Sequence, residues 1–514
     1  MREAGHWPIA LVITLFAAIY ATGLHVSPVY LTHDEVIYAR NAYSIAHTGR
    51  DLSGQLLPVS IPVTGTFFAT PANIYFTAAF LTVLPLSEVA VRLPSVIVGL
   101  LCAWLTYLIA TRLSGSRMLA TLAAVMLLLT PAHFMHSRLG TDHLYVVACV
   151  LGWLVVLLRA NGAVSAGRAF VSSACLGASL YTYLGAAITA PVCLAIMLVW
   201  LVVRGDGDRR VLAAAVGGFV ALAIPFASWH LTHPGQYAQQ IRMYALYDSR
   251  TLDAVAGART LAAPTSLAER AAVYWDYFNP SFLFFAGDAG LLNGTRYTGV
   301  FLLPMLALLP AGAMLMLLRS GAAGALIVAV FASAPIAAAV VAERYRINRA
   351  LLMLPLASVL AAAAVAWAWR ARSRVLRPAV VVLLIAMPLQ FAAFYRDYFT
   401  DYRIRSAAWF EYNQRGAMEE VIARAGDADR IWISQGLPWS DYYWPFYLDR
   451  FGRRDLLART HYFDPVAADL NAAPAGTYVL CRASEEPRLI SAGFARVAAI
   501  REPDATHSLS VLHR

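Results

Sequence analysis

Asp34 and Glu35 are adjacent carboxylates in the stretch Thr32-His33-Asp34-Glu35-Val36-Ile37-Tyr38-Ala39-Arg40, directly after the first apolar run of a chain dominated by Leu, Ala and Val. A carboxylate at a membrane surface suits general-base chemistry. In a sugar transfer it would take the proton of an acceptor hydroxyl while that oxygen attacks the anomeric carbon. Partial desolvation near lipid would raise the basicity of Asp34 for this task. The same residues have a purely structural explanation. Thr32 with Glu35 three residues later is a capping box, and an acid in the first turn complements the helix dipole. Both readings start a helix at Thr32, and Gly49 is a suitable stop.

The elements that must position these residues follow from composition. Charged residues make up 14% of the 514-residue chain, hydrophobic ones 60%, and the mean hydropathy is +0.60. A soluble protein carries roughly 25% charged residues, so the expected class is an α-helical polytopic membrane protein. The net charge of +10 is carried by arginine alone, since the chain has no lysine. In a membrane protein such an excess reflects cytoplasmic loops and anionic lipid headgroups, so membrane lipids and no nucleic acid are expected as partners. Four of the five cysteines lie in apolar segments and Cys481 has no evident partner, which argues against a disulfide framework.

Apolar runs fall at about 8–27, 91–111, 118–134, 143–159, 169–185, 187–203, 211–231, 297–318, 322–342, 350–369 and 378–395. At roughly 20 residues per span they predict about eleven transmembrane helices. The first run lacks a persuasive cleavage site and reads as a retained helix. Arginines in the alternate short loops put those loops, and the N-terminus, in the cytoplasm. The long loops 28–90 and 232–296 and the tail from 396 are then extracytoplasmic. In the first loop, the helix from Thr32 to Gly49 mixes apolar and aromatic with polar residues, as suits a helix lying along the interface. Pro71 opens a second such helix. The tail alternates short apolar strands near 431–433, 478–480, 496–500 and 509–512 with helical stretches at 406–425 and 440–450. It reads as a small α/β domain, giving a division into 1–395 and 396–514.

Asp34, Glu35, Tyr38 and Ala39 together spell Asp-Glu-x-x-Tyr-Ala, which resembles the polyprenyl-phosphate-dependent glycosyltransferases of the GT-C fold. That family includes protein O-mannosyltransferases and lipid A aminoarabinose transferases. Thr48-Gly49-Arg50-Asp51, Arg92-Leu93-Pro94-Ser95, Thr130-Pro131 through Ser137-Arg138-Leu139-Gly140, and Tyr277-Phe278-Asn279-Pro280 through Gly287-Asp288 agree with it. The resemblance covers about residues 8–395 and does not reach the tail. It implies an inverting transfer of a sugar from a polyprenyl-phosphate donor to an envelope acceptor hydroxyl on a lipid, glycan or protein. Asp34 would be the base, with Glu35 orienting it or touching the acceptor. It implies no required cofactor and no metal, and a location in the bacterial inner membrane. The chain has no nucleotide-binding motif, consistent with a lipid-linked donor.

A departing phosphate needs positive charge that is independent of protonation, which arginine supplies with a planar donor fork. The outer-face candidates are Arg92, Arg138, Arg346 and Arg349. The last two precede Leu354-Pro355, where the resemblance implies a basic residue near the donor phosphate. Each also has a simpler role available, such as an ion pair of Arg92 with Glu88 four residues earlier. Tyr38, Asp142 and Tyr345 are expected to line the substrate cavity. His133, His136, Asp142 and His143 form a cluster that either binds metal or simply sits at polar helix ends. Two alternatives remain open. A polymerase or ligase would use a polyprenyl-diphosphate oligosaccharide. A transporter would place ionisable residues in mid-helix and show repeats, and neither pattern is present.

Overall fold

The structure, a computed structural model, describes residues 7–64, 67–159, 162–233, 253–426 and 429–514. Expectations for residues 1–6 and for 234–252 of the second long loop lie outside the described residues. The chain forms two compact units. One comprises the residues up to Thr22, Arg50–Phe76 and Leu93–Tyr395; the other comprises Gly23–Gly49, Thr77–Arg92 and Arg396–Arg514.

Each apolar run holds a helix, but proline and glycine cut several of them short. The run at 118–134 breaks at Thr130-Pro131 into Arg117–Leu128 and Pro131–His136. The run at 297–318 starts its helix only at Met305, after Pro304. Pro131 has no N–H to continue the helix before it, and Pro304 stands at the N-cap of the helix after it. Among the described residues six helices are long and apolar enough to cross a membrane: Glu88–Ser114, Ala186–Arg204, Arg209–Thr232, Gly321–Val340, Met353–Arg370 and Leu376–Phe399. Trp7–Ala21, Arg117–Leu128, Tyr145–Leu157 and Met305–Arg319 are apolar but shorter.

The first unit is centred on Met353–Arg370, buried along nearly its whole length and packed against Met305–Arg319 and Arg117–Leu128. Lipid supplies no hydrophobic drive for helices to associate, so close backbone approach at small residues does that work. A Cβ on Gly312 would lie 1.9 Å from the carbonyl oxygen of Leu360. Gly218, on Arg209–Thr232, meets Ala166–Ser179 in the same way, its Cβ position 2.1 Å from the carbonyl oxygen of Phe170. The same unit carries a hairpin of β1 (Ile61–Thr64) and β2 (Phe67–Ala69).

The second unit holds a five-stranded sheet of β3 (Arg430–Ser434), β4 (Thr460–Phe463), β5 (Thr477–Arg482), β6 (Ala495–Arg501) and β7 (His507–His513), in the order β4-β3-β5-β7-β6. The first three strands run parallel, and β7 is antiparallel to both β5 and β6. Trp432, Phe463, Val479, Cys481, Leu489, Phe494 and Leu512 form its core. Strand β4 was not anticipated, because Thr-His-Tyr-Phe is a short, mostly polar edge segment. The expected helix at 406–425 begins only at Gln414. Before it lie a short helix, Asp401–Ser406, and a 3-10 turn, Ala407–Phe410, closed by Glu411 and Tyr412 in left-handed conformation (φ 62° and 61°).

Replacing Gly312 with Ala should lower the thermal unfolding midpoint in detergent, reflecting a cost of about 1–3 kcal/mol from overpacking. Gly152→Ala, where a Cβ meets nothing within 4 Å, should not.

Candidate active site

The helix His33–Thr48 is set by its own sequence at both ends. Thr32 Oγ1 accepts from the Glu35 amide at 3.2 Å, and Glu35 Oε2 accepts from the Thr32 amide at 2.9 Å, completing the capping box. Gly49 ends the helix in left-handed conformation (φ 69°). The apolar face covers a protein neighbour, for the helix packs on Ser440–Phe451 of the tail within the same unit.

Glu35 is fully buried and carries a second bond network. Its carboxylate meets Arg92, with Nε to Oε1 at 2.8 Å and Nη2 to Oε2 at 3.3 Å. Arg92 is itself 1% exposed. Its Nη1 donates to the carbonyls of Leu24 (2.7 Å) and Pro28 (3.0 Å), and Nη2 to that of Tyr30. These five bonds match the five N–H donors of a guanidinium. In this arrangement Arg92 has no donor left for a phosphate, and its role is to shape the segment before the helix. The suggested Arg92–Glu88 pair gives way to Glu88 with Arg450 (2.8 Å) and Arg415 (3.2 Å).

Asp34 contrasts with Glu35, since 52% of its side chain is exposed. The desolvation expected at Asp34 falls on Glu35 instead. Asp34 and Tyr38 lie one turn apart on one helix face, and Tyr38 is partly exposed. His33 Nε2 is 3.5 Å from Asp34 Oδ1, and its Nδ1 is 3.4 Å from Glu411 Oε1. Burial works against a charged ring here. The hydrogen bond to Glu411 and the charges of Asp34 and Glu411 outweigh it and raise the His33 pKa above 6.5.

The remaining candidates belong to the other unit. Arg138 is fully buried, donating from Nη1 to the carbonyls of Tyr20 and Thr22 (2.8 Å to the latter), with its guanidinium 5.1 Å from the Phe134 ring centre. Asp142 is buried and accepts from Thr70 Oγ1 at 3.2 Å. His136 and His143 have ring centres 5.6 Å apart, yet among the described residues no three His, Cys, Asp or Glu side chains converge as a metal site. Arg349 pairs with Glu343 (2.7 Å) and donates to Tyr183 Oη (2.7 Å). Arg346, 38% exposed, lies 3.6 Å from Asp288.

Asp288 closes the motif that begins at Tyr277, and its spacing alone does not mark it as a site residue. It accepts from the amides of Ile347 (2.6 Å) and Gly290 (2.7 Å) and so fastens the arginine loop to the motif that begins at Tyr277. Burial raises its pKa to about 6, against the opposing pull of those amides and Arg346. Tyr345 Oη donates to Asp276 at 3.1 Å. Asn279, Ser281, Phe282, Asp288, Arg296 and Tyr345 help line a cavity of about 370 Å³.

Residues 69–229 match the family profile described as dolichyl-phosphate-mannose-protein mannosyltransferase. No curated protein matches the chain by sequence. The structure is similar to ArnT from Cupriavidus metallidurans bound to undecaprenyl phosphate, with a TM-score of 0.61 and 14% identity, covering 99% of this chain and 98% of that one. The chain has the GT-C glycosyltransferase fold. The archaeal oligosaccharyltransferase AglB from Archaeoglobus fulgidus, in complex with an inhibitory peptide and a dolichol-phosphate, is also similar. There the TM-score is 0.53 at 13% identity, covering 98% of this chain and 74% of AglB. The profile match includes Arg92, Arg138 and Asp142, whereas Asp34 precedes it and Arg346 and Arg349 follow it. Within the GT-C fold, the case for Asp34 therefore rests on its own surroundings.

Two outcomes follow from the buried acids. Arg92→Leu should destabilise the protein by about 3–5 kcal/mol, because it strands a buried carboxylate, while Arg92→Leu with Glu35→Leu should recover much of that loss in thermal unfolding. Asp288 has a folded pKa of about 6 against an ordinary 3.8, so the folded state holds its proton more tightly than the unfolded chain. Its contribution to stability is full below about pH 4 and lost as pH rises through about 6. Asp288→Asn should flatten that part of the stability profile.

Proposed function

We propose that this protein is an integral membrane glycosyltransferase that moves a sugar from a polyprenyl-phosphate donor to an acceptor hydroxyl on the extracytoplasmic face of a bacterial inner membrane. One observation carries the reading: in a GT-C fold, an exposed carboxylate stands on a rigid helix start whose neighbouring carboxylate is locked in a buried ion pair. Asp34 is thereby presented to a substrate while Glu35 holds the frame. The likeness to ArnT with undecaprenyl phosphate and to AglB with dolichol-phosphate supports a polyprenyl-linked donor.

In the proposed reaction the acceptor oxygen bonds to the anomeric carbon as the bond from that carbon to the phosphate oxygen breaks. Asp34 takes the hydroxyl proton, and the polyprenyl phosphate leaves with the electron pair. Attack from the face opposite the leaving group inverts the anomeric centre. Arg346 is the better placed of the loop arginines to receive the phosphate, because it is more exposed than Arg349, whose guanidinium is already engaged by Glu343 and Tyr183. Arginine charge serves in place of a metal. The N-terminus lies in the cytoplasm, the first 395 residues supply the reacting groups, and the tail 396–514 stands outside, in one compact unit with the segment 23–49 that carries Asp34. The likeness to AglB, an oligosaccharyltransferase, supports a second reading in which an oligosaccharide is transferred in place of a single sugar; in that reading the donor is a polyprenyl diphosphate.

Membranes containing wild type or Asp34→Asn, given labelled polyprenyl-phosphate monosaccharides and an envelope extract, test the proposal. Wild type should transfer one label, in the presence of a chelator as well. Asp34→Asn should bind that donor but transfer at least about a hundredfold more slowly. Equal transfer by both proteins would remove Asp34 as the base, and transfer only from diphosphate-linked oligosaccharides would establish the second reading.

A further inference from the structure

His33 is held on three sides. Its two ring nitrogens face the carboxylates of Asp34 and Glu411 at 3.5 and 3.4 Å. The indole of Trp439 stacks on its face, with ring centres 4.7 Å apart and planes inclined by 13°. An imidazole with an acceptor at each nitrogen is satisfied only when both nitrogens carry protons, that is, as the imidazolium.

The residues that clamp it are themselves built with strain. Glu411 and Trp439 both adopt left-handed backbone conformation (φ 62° and 56°), which non-glycine residues keep only where the surroundings enforce it. The enforcing contacts are present in the same unit. Glu502 accepts from Tyr30 Oη at 2.7 Å and from the Asn413 amide at 2.9 Å. Tyr443 Oη donates to the carbonyl of Leu31 at 2.7 Å. The tail thus grips the chain on the N-terminal side of Asp34 and places two side chains against His33.

We propose that His33 is the positioning residue of Asp34, and that the C-terminal segment, through Glu411 and Trp439, completes the base's site by holding His33. This rests on Asp34 being the base. The imidazolium fixes one carboxylate oxygen of Asp34 and so sets the direction in which the carboxylate meets an acceptor hydroxyl. The charged and titratable groups facing the ring are Asp34 from its own helix and Glu411 from the turn after Phe410. Nearby, Glu35 is neutralised by Arg92, and Tyr443 of Ser440–Phe451 is kept as the neutral phenol by burial and the surrounding carboxylates. As pH rises through the raised pKa of His33, the ring loses its charge and Asp34 loses its restraint, so transfer should fall on the alkaline side.

The test is the pH profile of transfer by the full-length protein in membranes, with kcat and donor KM measured separately. His33→Gln should lower kcat on the order of tenfold to a hundredfold with donor KM little changed, and should abolish the alkaline limb. Glu411→Gln removes one of the two charges that raise the pKa, so the limb should move towards acid, and Glu411→Asp should restore it. The proposal is overturned if the limb stays in place in Glu411→Gln, or if His33→Gln changes only the thermal midpoint or KM. Should Asp34→Asn transfer as well as wild type, the assignment of the base fails and this proposal with it. Loss of transfer in Asp34→Asn with an unmoved limb in Glu411→Gln overturns the positioning role alone.

Discussion

The buried pair of Glu35 and Arg92 is the constraint on which the rest of its unit depends. A carboxylate and a guanidinium removed from water each carry a desolvation cost of several kcal/mol, which only close pairing and full hydrogen bonding offset. Here both conditions are met. Arg92 spends its donors on Glu35 and on three carbonyls of the segment before the helix, while Glu35 also closes the capping box. A local helix-start motif is thereby tied to the beginning of Glu88–Ser114, more than fifty residues away. Because the pair is inaccessible, its worth is geometric: it determines where Asp34, the next residue along, can stand.

Around that pair the tail acts as a second brace. Glu88 draws in Arg450 and Arg415, Tyr443 caps the carbonyl of Leu31, and Glu502 joins Tyr30 to Asn413. These contacts join residues of the first long loop, Tyr30, Leu31 and Glu88, to residues beyond 396. The mixed sheet supplies the rigid backing, its core closed by Trp432, Val479 and Leu512. A flexible loop could not hold a side chain to within the tolerance that proton transfer demands; a loop sewn to a folded domain can.

In the other unit the design is of a different kind. Glycines at helix crossings let backbones approach within side-chain distance, as at Gly312 and Gly218, and arginines satisfy carbonyls at helix ends, as Arg138 does for Tyr20 and Thr22. Asp288 fastens the arginine loop by two backbone amides, leaving Arg346 the more open of the two arginines considered there.

Much of this was legible in the chain itself. Thr32 with Glu35 at one end, and Gly49 at the other, are local signals: capping depends on residues three apart and on one backbone torsion, so the helix His33–Thr48 could be read directly. The apolar runs likewise announced the helices, because burying about twenty consecutive apolar residues leaves few alternatives. What the sequence could not show was partnership at long range. Glu35 and Arg92 are both conspicuous, but nothing in their spacing says that they meet, and i,i+4 reasoning paired Arg92 with Glu88 instead. Glu411 and Trp439 carried no signal at all, since their role depends on left-handed torsions that only the folded tail enforces. Local chemistry determined where the helix that carries Asp34 would start. Tertiary structure alone decided which of two adjacent carboxylates is buried and which is left exposed, because desolvation is a property of the surroundings and not of the residue.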